Sequence, residues 1–540
     1  MTDGSERLRP YRTLATRSHY TGDLSKRYLS PEKSMGFDRD SNLSRLHSEN
    51  TWDLLVIGGG ATGASIALDA ASRGYQVALV ERSDFGKGTS SRSTKLVHGG
   101  VRYLAQGNVS LVKEALRERR RLRANAPHVV HELSFLVPCP NLLQRIWYGL
   151  GFFVYDLLAG KSGFAKAMGL SKDQCQALVP TIAPDKARYG IRYSDGQFDD
   201  SRLLLNILQT AEEQGAVVCN YLPVEQLLKD PTGKLIGAVL SDLECRNKST
   251  AGTTPERFSI RAKCVINATG PFCDALRAED SPNDQEMIAA SQGVHLVLDK
   301  SFLPGNAAVI VPKTSDGRVI FLIPWHDRVL VGTTDTPIKQ PLDEPTATDE
   351  EIAFLLDTAG EYLTKKPKRE DILSLFVGIR PLVRPGSASG SRSANKSTSK
   401  LSRDHTIVVS ESGLITITGG KWTTARKMGQ DGVDRAIEVA GLEPASCCTF
   451  DLKLHGSDEK GKQLLLEQDP ALAEVHIPPS DASGLGLRTV DVVWSIRYEM
   501  ARRVEDVLAR RTRWLLLDAR RSVQAAPRVA EIMAGELGFG

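Results

Sequence analysis

DLLVIGGGATGASIALDAASRGYQVALVER, residues 53–82, places a strand, a glycine turn, a helix and a second strand in immediate succession. The apolar run Leu54–Ile57 predicts a buried parallel strand. Small and apolar residues predict a helix over Ala61–Ser72, and Gly74 separates it from a second apolar strand at Val77–Val80. The stretch therefore predicts one unit of an α/β fold with a parallel sheet.

Three glycines follow the first strand in G-x-G-x-x-G spacing. Gly58 would make the tight turn, Gly60 would let the backbone approach a pyrophosphate, and Gly63 would let helix and strand pack closely. The N-terminus of the helix would offer free N–H groups and a partial positive charge to the phosphates. Glu81, at the end of the second strand, could accept hydrogen bonds from a ribose. The unit therefore predicts a dinucleotide site.

A later strand narrows the choice of dinucleotide. The sequence contains one such fingerprint, so it offers no second site for a nicotinamide cofactor. CVINATGPFCD, residues 264–274, predicts a strand that ends in Ala268-Thr269-Gly270, where small residues would again allow close approach of the backbone. A glycine fingerprint combined with a late A-T-G strand end is similar to the glutathione-reductase type of FAD-binding domain. We therefore predict FAD as the cofactor.

A third stretch, TSSRSTKLVHGGVRYL, residues 89–104, is too polar for a core and too specific for a linker. It combines hydroxyls, a lysine, a histidine, two arginines and two adjacent glycines. So many hydrogen-bond donors beside a flexible, glycine-containing backbone suit the binding of two negatively charged ligands, a cofactor and a substrate. An exposed, capped turn is the alternative interpretation.

Composition limits the other classes of function. A chain of 540 residues is too long for one core and predicts two or three packed units. The net charge of +4 is small for this length and gives no reason to expect a nucleic-acid partner. The 8 cysteines are scattered without metal-ligand spacing, so we expect free thiols and no metal site.

Motifs along the chain resemble, in their order, the FAD-dependent glycerol-3-phosphate dehydrogenases of the quinone-linked kind. The resemblance covers residues 50–440 and extends more loosely to the end. It implies an α/β fold with a glutathione-reductase/D-amino-acid-oxidase-like FAD-binding domain, an inserted antiparallel β substrate lobe and a helical C-terminal domain. The motifs are GGGATGASIALDAASRG, TSSRSTKLVHGGVRYL, YSDGQFDDSRL, INATGPF, FLIPW with VGTTDT, VGIRPL, SRDHTI and TGGKWTTARKM.

The resemblance implies a reaction. The protein would oxidise sn-glycerol 3-phosphate to dihydroxyacetone phosphate by hydride transfer from C2 to N5 of FAD, and ubiquinone would then take the electrons. An oxidase that uses oxygen and an FAD-binding scaffold without catalysis are the alternatives. Peroxide without quinone reduction would indicate the oxidase. A bound flavin that glycerol 3-phosphate does not bleach would indicate the scaffold.

The resemblance also assigns residues to the substrate. Charge-assisted hydrogen bonds contribute about 1.5–3 kcal/mol each, so three or four cations would hold a phosphate monoester. Proton removal from the hydroxyl needs a base, and His98 and His295 are both candidates that could instead only orient the substrate. The implied substrate-binding residues are Arg102, Tyr103, Arg380, Arg403 and Lys421, with Arg380 and the two histidines assigned to catalysis.

Other positions are assigned to the cofactor. In GLITITGGKWTTARKM, residues 413–428, a helix N-terminus and Lys421 would face the flavin, although an ordinary strand–turn–helix corner has the same spacing. Residues of the 89–104 stretch would face the pyrophosphate and the flavin. The implied cofactor-binding residues are Gly58, Gly60, Ala61, Thr62, Gly63, Glu81, Arg82, Ser90, Ser91, Thr94, Lys95, Gly270, Gly420, Lys421 and Thr423.

The domains are expected to be interleaved along the chain. Apolar runs at Ala308–Pro312, Val319–Pro324 and Val329–Thr333 predict strands of the substrate lobe. After residue 445 the pattern is helical, with one helix restarting after Pro527. We expect the FAD domain at about 50–135, 190–295 and 375–440, the substrate lobe at about 296–374 with 136–189, and the helical domain at 445–540.

The ends of the chain and one aromatic segment bear on localisation. Residues 1–49 predict a disordered or targeting leader, since arginines among Ser and Thr suit a transit segment whereas Asp3 and Glu6 do not. IWYGLGFFVYDLLAG, residues 146–160, predicts a buried helix, with a helix on a membrane surface as the alternative. By similarity to eukaryotic relatives we expect peripheral or monotopic attachment to the mitochondrial inner membrane, and a homodimer is left open.

Overall fold

The computed structural model describes residues 37–47, 51–100, 108–160, 164–244, 255–312, 314, 317–384, 405–478 and 486–538. Three of the residues assigned to the substrate, Arg102, Tyr103 and Arg403, lie outside these ranges.

The strands form two large sheets and one small one. In chain order they are β1 Trp52–Ile57, β2 Val77–Val80, β3 Leu96–Val97, β4 Val130–Cys139, β5 Met168–Ser171, β6 Tyr189–Phe198, β7 Val217–Cys219, β8 Val224–Lys229, β9 Leu235–Asp242, β10 Glu256–Asn267, β11 Ile288–Asp299, β12 Ala308–Val311, β13 Ile320–Trp325, β14 Arg328–Gly332, β15 Thr336–Pro337, β16 Ile372–Val383, β17 His405–Val409, β18 Ile415–Gly419, β19 Val475–Ile477 and β20 Leu487–Arg488.

The helices pack on these sheets and form most of the C-terminal region. They are α1 Arg39–Leu46, α2 Ala61–Ser72, α3 Val109–Asn125, α4 Leu142–Ala159, α5 Lys172–Leu178, α6 Asp200–Glu213, α7 Cys273–Asp280, α8 Asp349–Tyr362, α9 Ala425–Ala440, α10 Glu459–Gln468, α11 Thr489–Glu499, α12 Trp514–Leu517 and α13 Ala519–Leu537.

The 8-stranded sheet has the order β17-β18-β10-β1-β2-β7, with β9 and β8 added next to β10. The pairs from β18 to β7 are parallel, and their strands are short apolar runs because both faces of the sheet are covered. The predicted unit at 53–82 forms its centre, and α2 begins and ends where the sequence predicts. The carboxyl ends of β1, β10 and β18 therefore meet at one edge, where ligands bind in open α/β sheets.

The 10-stranded sheet is mostly antiparallel and has the order β15-β11-β14-β13-β12-β4-β6-β3, with β16 beside β11 and β5 beside β6. The three predicted strands of the substrate lobe are confirmed as β12, β13 and β14. The turn between β13 and β14 is formed by His326 and Asp327, both with positive φ, as a two-residue hairpin of the primed type requires.

The predicted domain boundaries are wrong at several strands. Parts of β4, β6, β11 and β16 were expected in the FAD domain, yet these strands pair within the 10-stranded sheet. Apolar alternation identifies a strand from the sequence, but it does not identify the neighbour with which the strand pairs.

The predicted leader is also too long. Residues 37–47 are ordered, and α1 packs against the 8-stranded sheet. Phe37 is only 2% exposed, and the buried guanidinium of Arg39 pairs with Asp242 at 2.5 Å. The sequence did not reveal that this segment packs on the sheet, because the segment is polar and its buried polar groups pair with residues far away in sequence.

The prediction that the aromatic segment is a buried helix is wrong. It lies in α4, of which only Phe152 and Tyr155 are buried. One face is apolar and exposed, with Leu143, Trp147 and Leu157 at 79%, 74% and 71% exposure. An apolar stripe at helical spacing indicates that something covers it, but not what the cover is. No helix within the described ranges is long and apolar enough to cross a membrane.

The C-terminal region is helical, as predicted, but its helices break at other places. α11 is capped by Met500, which has a left-handed conformation, and a π-helical turn spans Asp506–Arg511. The predicted new helix after Pro527 is wrong, because α13 runs through this proline without interruption. Val523, four residues before the proline, is 68% exposed, so the carbonyl that loses its helical hydrogen bond belongs to an exposed residue.

Candidate cofactor and substrate site

A cavity of about 400 Å³ opens at the carboxyl edge of the parallel strands. Its walls are the turn after β1, the end of β2, the residues after β10 and β18, and the 86–90 segment. Of the predicted cofactor-binding residues, those that line it are Gly58, Gly60, Ala61, Thr62, Glu81, Arg82, Ser90, Gly270, Gly420 and Lys421.

The glycine turn forms a backbone cradle that a side chain would fill. Gly58 has φ +114°, and a Cβ there would lie 2.6 Å from the carbonyl oxygen of Ala268. A Cβ at Gly63 would lie 1.9 Å from the carbonyl oxygen of Gly58, so α2 can approach β1 only with glycine at that position. The N-terminus of α2, capped at Gly60 without a side-chain hydrogen bond, faces the cavity. This cradle fits the pyrophosphate of a dinucleotide such as FAD.

Glu81 braces the same turn. Its carboxylate accepts hydrogen bonds from the backbone N–H of Gly59 at 2.7 Å and of Ser83 at 2.9 Å. Burial raises the pKa of Glu81. The guanidinium of Arg82 lies 4.5 Å from the ring centre of Phe272 and pairs with Asp343 of the substrate lobe. The end of β2 therefore presents an acid and a stacked cation to the cavity.

The start of the 89–98 segment is held to the walls of the cavity by hydrogen bonds of Thr89 and Ser90. The Ser90 hydroxyl accepts from the N–H of Ala61 at 2.9 Å, and the indole of Trp422 donates to the Ser90 carbonyl at 2.9 Å. The Thr89 hydroxyl donates to the carbonyl of Ile379 on β16 at 2.6 Å. These contacts join the FAD domain to the substrate lobe directly beside the cradle.

Lys95 does not reach the cavity, so its predicted contact with the cofactor is wrong for the ammonium group. It is fully buried and donates to Asp200 at 2.7 Å and to the carbonyl of Ser91 at 2.8 Å. Asp200 also accepts from Arg513 of the C-terminal region at 2.7 Å. Burial lowers the pKa of Lys95 to about 8. The polar composition of the segment gave no sign of this buried ion pair. The side chain of Ser91 is likewise buried, 4% exposed.

Thr94 reaches His295 of the substrate lobe, and Arg380 lies on β16, the strand that pairs with that of His295. The Thr94 hydroxyl and Nε2 of His295 are 3.0 Å apart, and the imidazole stacks on Phe376. Burial, followed by the charges of Lys95 and Arg380, holds the pKa of His295 well below its ordinary value.

The guanidinium of Arg380 is held in one orientation. It donates to the Thr333 hydroxyl at 3.1 Å and to Asp335 at 3.2 Å. The next residue, Pro381, lines the cavity. Arg380 thus lies beside the cofactor cavity and on the same strand pair as His295, since β11 and β16 are antiparallel partners.

His98 is joined to the opposite wall. The Thr423 hydroxyl donates to the carbonyl of His98 at 3.4 Å. Thr423 is buried in the turn Trp422–Thr424 that precedes α9, and Lys421, directly before this turn, lines the cavity. The structure therefore brings His98 to the same wall as Lys421 and Thr423, whereas Thr423 itself faces the protein interior.

Sequence reasoning missed several residues of the site. Thr89 and Trp422 stand within the quoted motifs, so their neighbours could have pointed to them. Asp343 lies in the loop between β15 and α8, and nothing in its local sequence indicates that it reaches the cavity. The role of Asp200 was likewise hidden in the YSDGQFDDSRL motif.

Comparison with known proteins agrees with this geometry. The family model of the FAD dependent oxidoreductases matches residues 53–426, and that of the C-terminal domain of alpha-glycerophosphate oxidase matches residues 472–540. The mitochondrial glycerol-3-phosphate dehydrogenase of Saccharomyces cerevisiae is 36% identical over 92% of this chain and 88% of its own length. That of Homo sapiens is 38% identical over 93% of this chain and 72% of its own.

A solved structure extends the comparison to three dimensions. The glycerol-3-phosphate dehydrogenase from Bacillus halodurans, solved in complex with FAD, superposes with a TM-score of 0.69 at 31% identity and covers 93% of this chain and 94% of its own. These relatives match this chain over nearly its whole length. The chain belongs to the FAD-dependent glycerol-3-phosphate dehydrogenase family.

Proposed function

We propose that the protein oxidises sn-glycerol 3-phosphate to dihydroxyacetone phosphate with FAD as the cofactor. The observation that supports this most directly is a cavity shaped for the cofactor whose wall includes Pro381, directly after Arg380 on β16, with His295 on the paired strand β11. Bound FAD would supply the acceptor for the hydride from C2 of the substrate. The residues of the chain bind the phosphate, orient the carbinol and move its proton.

Cations would hold the phosphate. Lys421 lines the cavity, and Arg380 is kept in place by Thr333 and Asp335. Such a pre-oriented guanidinium loses little conformational freedom when an anion binds. Arg102, Tyr103 and Arg403 are further proposed contacts, on the strength of the family motifs alone.

His295 would take the hydroxyl proton. If Nε2–H donates to Thr94, Nδ1 carries the lone pair, and Nδ1 has no hydrogen-bond partner among the described residues. The low pKa keeps the imidazole neutral, which is the form that accepts a proton. His98 would then orient the substrate, because its carbonyl is tied to the wall that carries Lys421.

A membrane quinone would take the electrons, at the mitochondrial inner membrane. The relatives are named mitochondrial, and the exposed apolar face of α4 supports attachment to a lipid surface. A helix of this kind would lie in the interface with its apolar face among the acyl chains.

Anaerobic spectroscopy of the purified protein tests the proposal. Adding glycerol 3-phosphate should bleach the flavin absorbance, whereas glycerol and lactate should not, because neither carries the phosphate that the cations bind. A flavin that stays oxidised with glycerol 3-phosphate would contradict the proposed function.

Oxygen is the second candidate acceptor, since the C-terminal family model bears the name of an oxidase. Turnover in air with a soluble quinone analogue separates the two. We expect quinone reduction without matching peroxide. One peroxide formed per substrate, with no quinone reduced, would assign the protein to the oxidases.

A further inference from the structure

The carboxylate of Asp195, in the YSDGQFDDSRL motif, is the centre of a buried polar network that the proposed mechanism leaves unused. Asp195 is 2% exposed and pairs with Nη1 of Arg119 at 2.7 Å. The hydroxyl of Tyr155 donates to it at 2.9 Å. The backbone N–H of Gly99 lies 3.3 Å from each of its two oxygens. Three donors from three distant segments thus converge on one carboxylate, which also accepts the backbone N–H of Gly196 at 3.0 Å.

The position of Gly99 gives this network a consequence for the site. β3 pairs with β6 only as far as Val97, which lies opposite Gly196. His98 and Gly99 leave the ladder at that point, so the N–H of Gly99 has no strand partner. The side chain of Asp195, on the adjacent residue of β6, accepts it instead. A buried N–H without such an acceptor would cost about 1–3 kcal/mol.

The contact is also tight. A Cβ at Gly99 would lie 2.2 Å from the hydroxyl oxygen of Tyr155, so the backbone rests directly on this side chain. Burial and the charge of Asp195 raise the pKa of Tyr155 well above its ordinary value, so the hydroxyl stays protonated and keeps donating. Arg119 compensates the buried negative charge, as a buried carboxylate requires.

We propose that Asp195 is a positioning residue for the substrate: through the N–H of Gly99 it fixes the backbone at His98, and Tyr155 and Arg119 hold it in place. The inference rests on the proposed function, in which His98 orients glycerol 3-phosphate. Asp195 itself touches neither substrate nor cofactor. Its effect is therefore expected on the binding of substrate more than on the binding of FAD.

Asp195→Asn tests this in the FAD-loaded protein. We expect kcat/KM for glycerol 3-phosphate to fall between about ten- and a hundredfold, mostly through a rise in KM, because a displacement of about 1 Å in the residues that position a substrate has effects of this size. kcat should fall by a smaller factor, and the dissociation constant of FAD, measured by flavin fluorescence, should stay within about twofold. The matched control is Asp242→Asn, which breaks a comparably buried arginine pair at 2.5 Å on β9, in the other large sheet. It should leave KM unchanged.

A milder pair of variants keeps the test decisive if Asp195→Asn does not fold. Tyr155→Phe removes one hydrogen bond to Asp195 and keeps the ring, so KM should rise about fivefold, as the loss of about 1 kcal/mol predicts. Tyr148→Phe, on the same helix, removes a hydroxyl that makes no hydrogen bond among the described residues and should change nothing.

Wild-type KM in Tyr155→Phe, or in a folded Asp195→Asn, would overturn the inference. Equal rises of KM in Asp195→Asn and Asp242→Asn would also overturn it, because they would show a general loss of packing. Failure of the proposed function looks different, since the wild-type flavin itself would then not be reduced by glycerol 3-phosphate.

Hydrogen exchange at the Gly99 amide supplies a readout without catalysis. The exchange should become faster in Asp195→Asn only, and unchanged protection would contradict the role of the carboxylate.

Discussion

At the scale of the residue, the imidazole of His295 has one nitrogen held by Thr94 and one without a hydrogen-bond partner in the described part of the chain. Replacing His295 by Gln should slow flavin reduction by about a hundredfold or more, the contribution typical of a general base. Because the pKa of His295 lies well below 6.5, the wild-type reduction rate should stay level as the pH falls through that value. Stopped-flow reduction between acid and neutral pH measures both effects. His98→Gln is the comparison, and a larger loss there than in His295→Gln would reverse the two roles.

Glu212 makes the second prediction at this scale. Burial raises its pKa to about 7, although Asn42 of α1 donates to the carboxylate at 2.7 Å. The folded protein therefore holds a proton that the unfolded chain releases near pH 4.5, so stability falls as the pH rises from about 4.5 to about 7 and then levels off. Glu212→Gln should remove this slope, which for one proton is about 1.4 kcal/mol per pH unit. Thermal unfolding of both proteins across this range checks it, and equal slopes would contradict it.

At the scale of the element, α4 exposes an apolar face that includes Leu143 and Trp147. If the face inserts into lipid, changing both residues to Glu should weaken binding by about 3 kcal/mol or more, which is about a hundredfold. Co-sedimentation with vesicles of anionic lipid measures the loss, and flavin reduction by glycerol 3-phosphate should persist. Val523→Glu is the control, because Val523 is similarly exposed, at 68%, on a different helix. Unchanged sedimentation of the double variant would rule out this face.

Elements with a strong periodic or glycine signal were predictable from the sequence. The unit around Gly58 and the strands β12 to β14 form where their local sequence patterns predict them, because tertiary packing did not override these patterns. α4 was misread because its apolar stripe has the same period whether protein or another medium covers it. Lys95 was misread because its partner, Asp200, is far away in sequence, and a charge can be buried wherever the fold supplies its counter-ion.

At the scale of the molecule, the C-terminal helices are fastened to the FAD domain by buried charges. Asp84, two residues after Arg82 of the cavity, is completely buried and pairs with both Arg510 and Arg511. Burial alone would raise the pKa of Asp84, but the two guanidiniums hold it below its ordinary value. The hydroxyl of Tyr221 completes the cluster by donating to Asp506 at 2.8 Å. The edge of the cofactor cavity and the C-terminal region therefore share one ionic network.

We therefore expect Asp84→Asn to destabilise both the edge of the cofactor cavity and the C-terminal region. Removing one partner of a buried ion pair costs about 3–5 kcal/mol, and here it leaves two arginines with less compensation. We expect protease to cleave near the C-terminal helices at lower concentrations and FAD to bind more weakly, since Arg82 and Ser83 of the cavity wall directly precede Asp84. Limited proteolysis and flavin fluorescence measure the two effects on the same sample. Arg497→Gln, which removes a half-exposed pair with Glu536 in the same region, should alter neither. Weaker FAD binding without increased cleavage, or the reverse, would show that the cavity edge and the C-terminal helices are not coupled through this cluster.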